Sequence, residues 1–223
     1  MHHFSKAGLA AAALLLGASA TAQVAGTLSA RAGFTHIAPQ VKSGNLSAPS
    51  FPGTTVDVGT ATSLSGGVNY MLTDNWAVDV PLALPFKHDI TGDGAIAGVG
   101  KLGETKVLPV TLFAQYRFGE AEARFRPYVG LGVTYSRFFK TRTTATLNSL
   151  TGGTPANPTT ASIDNKWGLT PQIGFVWTIS DRWYLDAAYY KSFLKTTTHL
   201  SSGQSITTRL NPNVIAVGIG YRF

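Results

Sequence analysis

Over most of its length this chain alternates apolar with polar or small side chains, residue by residue. From Ile215 to the terminal Phe223 the odd positions are Ile215, Val217, Ile219, Tyr221 and Phe223, and the even ones Ala216, Gly218, Gly220 and Arg222. A period of two marks a strand with one apolar face, because successive side chains point to opposite sides. The pattern recurs with Trp76, Val78, Val80, Leu82, Leu84 and Phe86 against Ala77, Asp79, Pro81, Ala83, Pro85 and Lys87. Leu108, Val110, Leu112, Ala114, Tyr116 and Phe118 alternate in the same way with Thr111, Phe113, Gln115 and Arg117, as do residues 125–135 and 167–177. About eight strands are predicted on this basis. Short turns (73–75, 119–124, 180–182) alternate with long connections (39–55, 91–103, 142–163, 196–203). The segment 142–163, rich in Thr, Asn, Gly and Pro, is predicted to be irregular and mobile. Short turns at one end and long loops at the other are the plan of an antiparallel up-and-down barrel.

Parity alone does not say which face is outside. A soluble, lipocalin-like barrel would bury the apolar face, whereas a membrane barrel turns it to lipid. Trp76, Phe118, Phe125, Trp177, Trp183, Tyr221 and Phe223 sit beside the turns on that face, where a girdle at the lipid headgroups needs aromatics. The opposite face carries charges of both signs that can pair. The fold class is therefore all-β: an eight-stranded antiparallel up-and-down transmembrane β-barrel, occupying residues 23–223 as one domain. Composition agrees, because charged residues are 13% of the chain, about half the usual one quarter. No segment after residue 22 offers the roughly 18–20 consecutive apolar residues of a spanning helix. A closed barrel is then the one way to pair every backbone group in lipid.

The amino-terminal segment points the same way. His2, His3 and Lys6 precede a short apolar run from Leu9 to Leu16, and Ala20-Thr21-Ala22 offers a small-x-small cleavage site before Gln23. Residues 1–22 are expected to be a secretory signal peptide. Export combined with a barrel predicts the outer membrane of a Gram-negative cell, with Tyr221 and Phe223 as the terminal signal read by the barrel-assembly machinery. The formal charge of +7 comes from Lys and Arg scattered singly, without a basic helix or aromatic–basic stripe, so no nucleic-acid partner is expected. The cationic rim (Lys42, Lys87, Lys101, Lys106, Arg137, Lys140, Arg142, Lys191, Lys195) instead suits lipopolysaccharide phosphates. Absence of cysteine removes a disulfide framework and thiolate chemistry.

The inward parity changes character along the barrel axis. Towards the short turns it holds Arg31, Asn69, Asp79, Gln115, Arg117, Arg126, Tyr128, Asp186 and Arg222. An eight-stranded barrel is only wide enough for its own side chains, and unpaired buried charge is costly. Arg31, Arg117, Arg126 and Arg222 are therefore expected to pair with Asp79 and Asp186 and plug the lumen. Towards the long loops the inward positions become apolar, among them Pro81, Ala83, Pro85, Pro109, Phe138 and Leu194. A hydrophobic ligand entering there would have to leave sideways. Pro81, Pro85 and Pro109 lie on neighbouring strands and cannot donate to a ladder. They either weaken the wall locally or merely mark bulges above the membrane.

The ordered motifs Arg31-Ala32-Gly33, Tyr70-Met71-Leu72-Thr73-Asp74-Asn75, Pro85-Phe86-Lys87-His88, Leu108-Pro109-Val110-Thr111-Leu112, Arg126-Pro127-Tyr128-Val129-Gly130, Trp167-Gly168, Leu210-Asn211-Pro212 and Gly220-Tyr221-Arg222-Phe223 resemble those of the outer membrane protein W (OmpW/AlkL) family. That resemblance implies an eight-stranded outer-membrane barrel suited to passive passage of small hydrophobic molecules. It also implies that Trp167 belongs to a hydrophobic constriction, whereas parity puts Trp167 on the lipid face unless a bulge re-aims it. Pro81 departs from the family, which carries a large aliphatic residue there. No cofactor and no metal are expected, and no enzymatic activity. His36, His88 and His199 lack metal-ligand spacing, and His88 with Asp89 or Asp93 and a loop serine only loosely imitates the site of a lipid acyltransferase. The rival to passage is a structural or adhesive barrel without transport, which would carry a polar, charge-paired lumen along its whole height.

Overall fold

The computed structural model describes residues 23–223, so the expected signal peptide lies outside the described residues. Its strands are β1 (Leu28–Ala38), β2 (Lys42–Ser43), β3 (Thr54–Val58), β4 (Ala61–Met71), β5 (Trp76–Ala83), β6 (Phe86–Gly94), β7 (Lys101–Arg117), β8 (Phe125–Thr143), β9 (Ala161–Ile163), β10 (Lys166–Thr178), β11 (Trp183–Lys191), β12 (Lys195–Leu200), β13 (Ser205–Arg209) and β14 (Asn213–Arg222), with a short helix α1 (Ala145–Thr151). Antiparallel pairing runs β7–β5–β4–β1–β14–β11–β10–β8, and β8 returns to β7, so the ring closes. β6 continues the track of β5 along the outer half of β7, which makes an eight-stranded barrel. The terminal strand closes against the first from Ser29↔Arg222 to Ala38↔Asn213, and the Phe223 amide donates to Leu28 O at 2.9 Å.

At the end opposite the short turns, β2, β13, β12 and β9 form a second, four-stranded sheet over the barrel mouth. The connection expected to be irregular is built: it holds the end of β8, then α1, then β9. Thr144 caps α1 by accepting from Leu147 N, and Gly152 at φ 77° ends it in the left-handed region, a conformation open to glycine. The long connections at 91–103 and 196–203 are likewise shorter than expected, because β6 with β7 and β12 with β13 extend as hairpins.

The two parities separate as the alternation requires. Leu64, Leu82, Leu112, Leu131, Ile173 and Ile215 are each more than half exposed, an apolar surface that only lipid can cover. Aromatics gather at the short-turn rim in edge-on contacts: Trp76 on Tyr116, Tyr116 on Phe118, Phe125 on Trp177, and Trp183 on Tyr221 on Phe223. Inward glycines make room for the large side chains of the lumen. A Cβ at Gly220 would lie 2.0 Å from Tyr184 Cζ, and one at Gly174 2.5 Å from the Tyr128 ring.

One stretch of parity is inverted. β5 pairs with β7 from Trp76↔Tyr116 to Asp79↔Phe113, and pairing resumes only at Phe86↔Val107. Across that break the β5–β6 track advances one residue more than β7 does. Because the period is two, a one-residue slip turns every following side chain over. Phe86 and His88 consequently point inward and are buried, whereas Pro85 and Lys87 are exposed.

Candidate functional site

The lumen has two storeys with opposite chemistry. In the lower one, Arg31 forks onto Asp79, with Nη1 to Oδ1 at 2.5 Å and Nη2 to Oδ2 at 2.9 Å, and its Nε lies 3.5 Å from Asp186 Oδ1. Tyr128 donates its hydroxyl to Asp186 Oδ2 at 3.2 Å. Asn69 donates to Gln115 Oε1, and Gln115 in turn to Gln172 Oε1 at 2.9 Å, which ties β4 through β7 to β10 across the lumen. Two-point, charge-assisted bonding of this kind holds a guanidinium in one geometry.

The other three arginines are buried but do not pair with the carboxylates as the sequence suggested. Arg126 donates to a cluster of backbone carbonyls, the shortest contact being Nη2 to Asp74 O at 2.6 Å, with Gly119 O and Gln23 O at 3.3 Å. Arg222 donates to Thr178 Oγ1 at 2.8 Å and stands over the Tyr184 ring at 5.2 Å. Arg117 donates to Gln23 Oε1 and faces the Tyr128 ring at 5.9 Å. The reason is axial position: these three lie beside the short turns, where turn carbonyls and the side chains of Gln23 and Thr178 are at hand. No periodic pattern in the sequence reaches Gln23, so its place in this cluster comes from the fold alone. Just above Arg31 a cavity of about 10 Å³ remains, room for roughly one water, so the lower storey is filled.

The upper storey is a chamber of about 300 Å³. Its walls include Ile37, Phe86, Val107 and Val214, which are buried, and its lid includes Leu200 and Ile206 of the small sheet and Leu150 of α1. Pro81, Ala83, Pro109, Phe138 and Leu194 all line it. Pro85 does not, because the inversion at the β5–β6 break turns it outward. Trp167 does not either. β10 keeps an unbroken register with β8, so Trp167 stays on the lipid face, 68% exposed and packed on Tyr135 at 4.8 Å.

The chamber wall has a gap in its ladder. Val80 to Pro85 has no partner on β7, and Leu108 to Leu112 none on β5 or β6, although β5 remains fully paired to β4 on its other side. Pro81 and Pro109 stand in this stretch without N–H donors, and both line the chamber.

Above the gap, Lys87 and Lys101 bracket Glu104 at 2.8 and 2.7 Å, and Lys101 also reaches Asp89 at 2.7 Å. Such a run of charges has no place in hydrocarbon, so this part of the β6–β7 hairpin stands outside the membrane. Hydrogen bonds from Lys101 and then Lys87 hold the Glu104 carboxyl down at about 2. His88, turned inward at the same height, bonds through Nδ1 to Gly59 O at 2.7 Å, and burial keeps its pKa below the ordinary imidazole value. A neutral His88 donates to that carbonyl and leaves the chamber wall uncharged there.

Comparison with known proteins fits this architecture. A profile described as the OmpW family matches residues 24–223. The chain is 35% identical to outer membrane protein W of Vibrio cholerae, over 97% of each chain. It is 26% identical to outer membrane protein AlkL of Ectopseudomonas oleovorans, covering 80% of this chain and 74% of that one. The dibenzothiophene metabolism operon protein PahQ of Pseudomonas aeruginosa is also 26% identical, over 77% and 76% of the two chains. Among solved structures, the outer membrane protein OprG of Pseudomonas aeruginosa superposes with a TM-score of 0.81 at 27% identity, covering 91% of this chain and 98% of that one.

Proposed function

The chain belongs to the OmpW family of outer-membrane barrels, and on that premise we propose that it passes small hydrophobic molecules, without energy input, from the cell surface into the outer leaflet of the membrane. The single observation that carries this reading is the coincidence of an apolar chamber with a broken ladder in its own wall. A ligand enters beneath the small sheet, exchanges water for the walls of the chamber, and gains the usual hydrophobic free energy by doing so. Descent is opposed by the packed arginine cluster. The way out is sideways between β5 and β7, where Pro81 and Pro109 leave side-chain packing alone to close the wall. The relationship to a protein of a dibenzothiophene metabolism operon favours a hydrocarbon-like cargo. Passage on this reading involves no catalysis, and the cationic side chains above the membrane suit lipopolysaccharide phosphates as neighbours.

The alternative is a barrel that only braces the membrane. A double variant separates the two. Pro81→Val with Pro109→Val restores two donors and should slow uptake of dibenzothiophene by whole cells, with heat-modifiable folded protein unchanged. Uptake at the parental rate would remove the lateral route and leave the structural reading.

A further inference from the structure

The chamber floor is a chain of hydroxyls. Thr111 on β7 meets Thr134 on β8 at 2.8 Å, Thr134 meets Thr170 on β10 at 2.7 Å, and Thr170 meets Ser192, just past β11, at 2.9 Å. All four residues are buried, and Thr111, Thr134 and Ser192 line the chamber. On the other side of the ring Thr35 of β1 donates to Ser65 of β4 at 2.8 Å. The belt lapses on β14, where Ala216 stands opposite Thr35, and on β5, where Ala83 stands opposite Ser65. The lapse on β5 adjoins the broken ladder, and Thr111 borders it from the β7 side.

Four hydroxyls carry four donor protons, and three bonds use three of them. When all three bonds point the same way, so that each hydroxyl polarises the next, the remaining proton stands at Thr111 or at Ser192. Among the described residues neither end has a further partner. A hydroxyl left unpaired in apolar surroundings is unfavourable. An alkane in the chamber leaves it so, whereas a ligand oxygen at the floor satisfies it.

We infer that this hydroxyl chain recognises the polar end of an amphipathic ligand, a neutral aliphatic molecule with one oxygen function such as a primary alcohol, whose tail fills the apolar chamber above. The inference rests on the reading that the chamber admits hydrophobic molecules. A charged head is disfavoured, since hydroxyls alone do not compensate a desolvated ion. The guanidinium beneath the floor, that of Arg31, is already committed to Asp79 and Asp186, and Arg142 is exposed at the far, outer end of the chamber.

The test compares uptake of radiolabelled 1-octanol and n-octane by cells bearing the parent, Thr134→Val, which cuts the chain in the middle at nearly constant volume, and Thr134→Ser, which keeps the hydroxyl. Folded protein is checked by heat-modifiable mobility, and Thr170→Val serves as an independent cut. The parent should show a half-saturation concentration for 1-octanol roughly five-fold below that for n-octane, the size of one modest hydrogen bond. Both valine variants should lose that difference by weakening 1-octanol alone, and Thr134→Ser should retain it. Equal handling of the two compounds by the parent, or a valine variant that weakens both alike, would overturn the recognition role while leaving passage intact. If neither compound entered faster than in cells lacking the barrel, the passage reading itself would fail and take this one with it.

Discussion

Replacing Asp79 by asparagine keeps the side chain's size and removes its charge, at a place in the lumen where carboxylates hold a buried cation. The Arg31 and Asp79 side chains are 9% and 0% exposed. Stripping one partner from a buried pair costs about 3–5 kcal/mol, because the other charge is stranded. Here the loss is moderated, since Asp186 remains 3.5 Å from Arg31 Nε and the new amide oxygen still accepts one N–H. About 2–3 kcal/mol is expected for Asp79→Asn. Arg31→Met should be worse, near 3–5 kcal/mol, because it strands Asp79 and Asp186 together. Combining Arg31→Met with Asp79→Asn should cost less than the sum of the two single changes, a shortfall of about 1–3 kcal/mol that contact between the residues produces. Equilibrium unfolding in urea of the barrel refolded into lipid vesicles measures all three, with the denaturant slope as a check that the same surface is exposed. Conductance across planar bilayers supplies a second readout: Asp79→Asn with Asp186→Asn should raise ion leakage. An Asp79→Asn variant within about 0.5 kcal/mol of the parent, or additive single changes, would refute the buried-pair argument.

Leu112→Arg, on the lipid face, should cost roughly 2–4 kcal/mol near the bilayer midplane, while Leu112→Val stays mild; equal tolerance of both would contradict a membrane-facing position. Gly220→Ala places a Cβ 2.0 Å from Tyr184 Cζ and should destabilise by about 1–3 kcal/mol through overpacking, seen as a lower urea midpoint; an unchanged midpoint would mean the ring moves freely. Glu104 has a folded pKa of about 2 against an ordinary value of 4.5, so its bonds to Lys101 and Lys87 are fully present above 4.5 and are lost as pH falls towards 2. A carbon-13 titration of its carboxyl would show this, and a midpoint near 4.5 would refute it. Deleting Phe223, whose amide bonds to Leu28 O, should lower the amount of heat-modifiable barrel in outer-membrane fractions, and normal amounts would remove its role in assembly.

The alternation along the chain determined much by itself. A side chain's face depends only on its own position and the pleat, so Leu82, Leu112 and Leu131 could be assigned to lipid, and Asp79, Arg117, Arg126 and Asp186 to the lumen, from the order of residues alone. The change from charged to apolar inward positions was legible for the same reason, and so was the parity of Trp167. Neighbours across the lumen were not legible, because they depend on the stagger of strands far apart in sequence. Arg126 finds peptide carbonyls instead of a carboxylate, since the turn at Asp74 is brought beneath it by ring closure. Pro81, Ala83 and Pro109 kept their expected side, but Pro85 and Phe86 exchanged faces when one extra residue slipped into the track between Asp79 and Phe86. Prolines hint at such a place; only the pairing of both strands locates the slip. Thr111, Thr134 and Thr170 fall on the polar, inward parity of the alternations over 108–118, 125–135 and 167–177. Their union into one chain required three neighbouring strands to settle at a common height, which hydrogen-bond register in the closed barrel decides and local sequence does not.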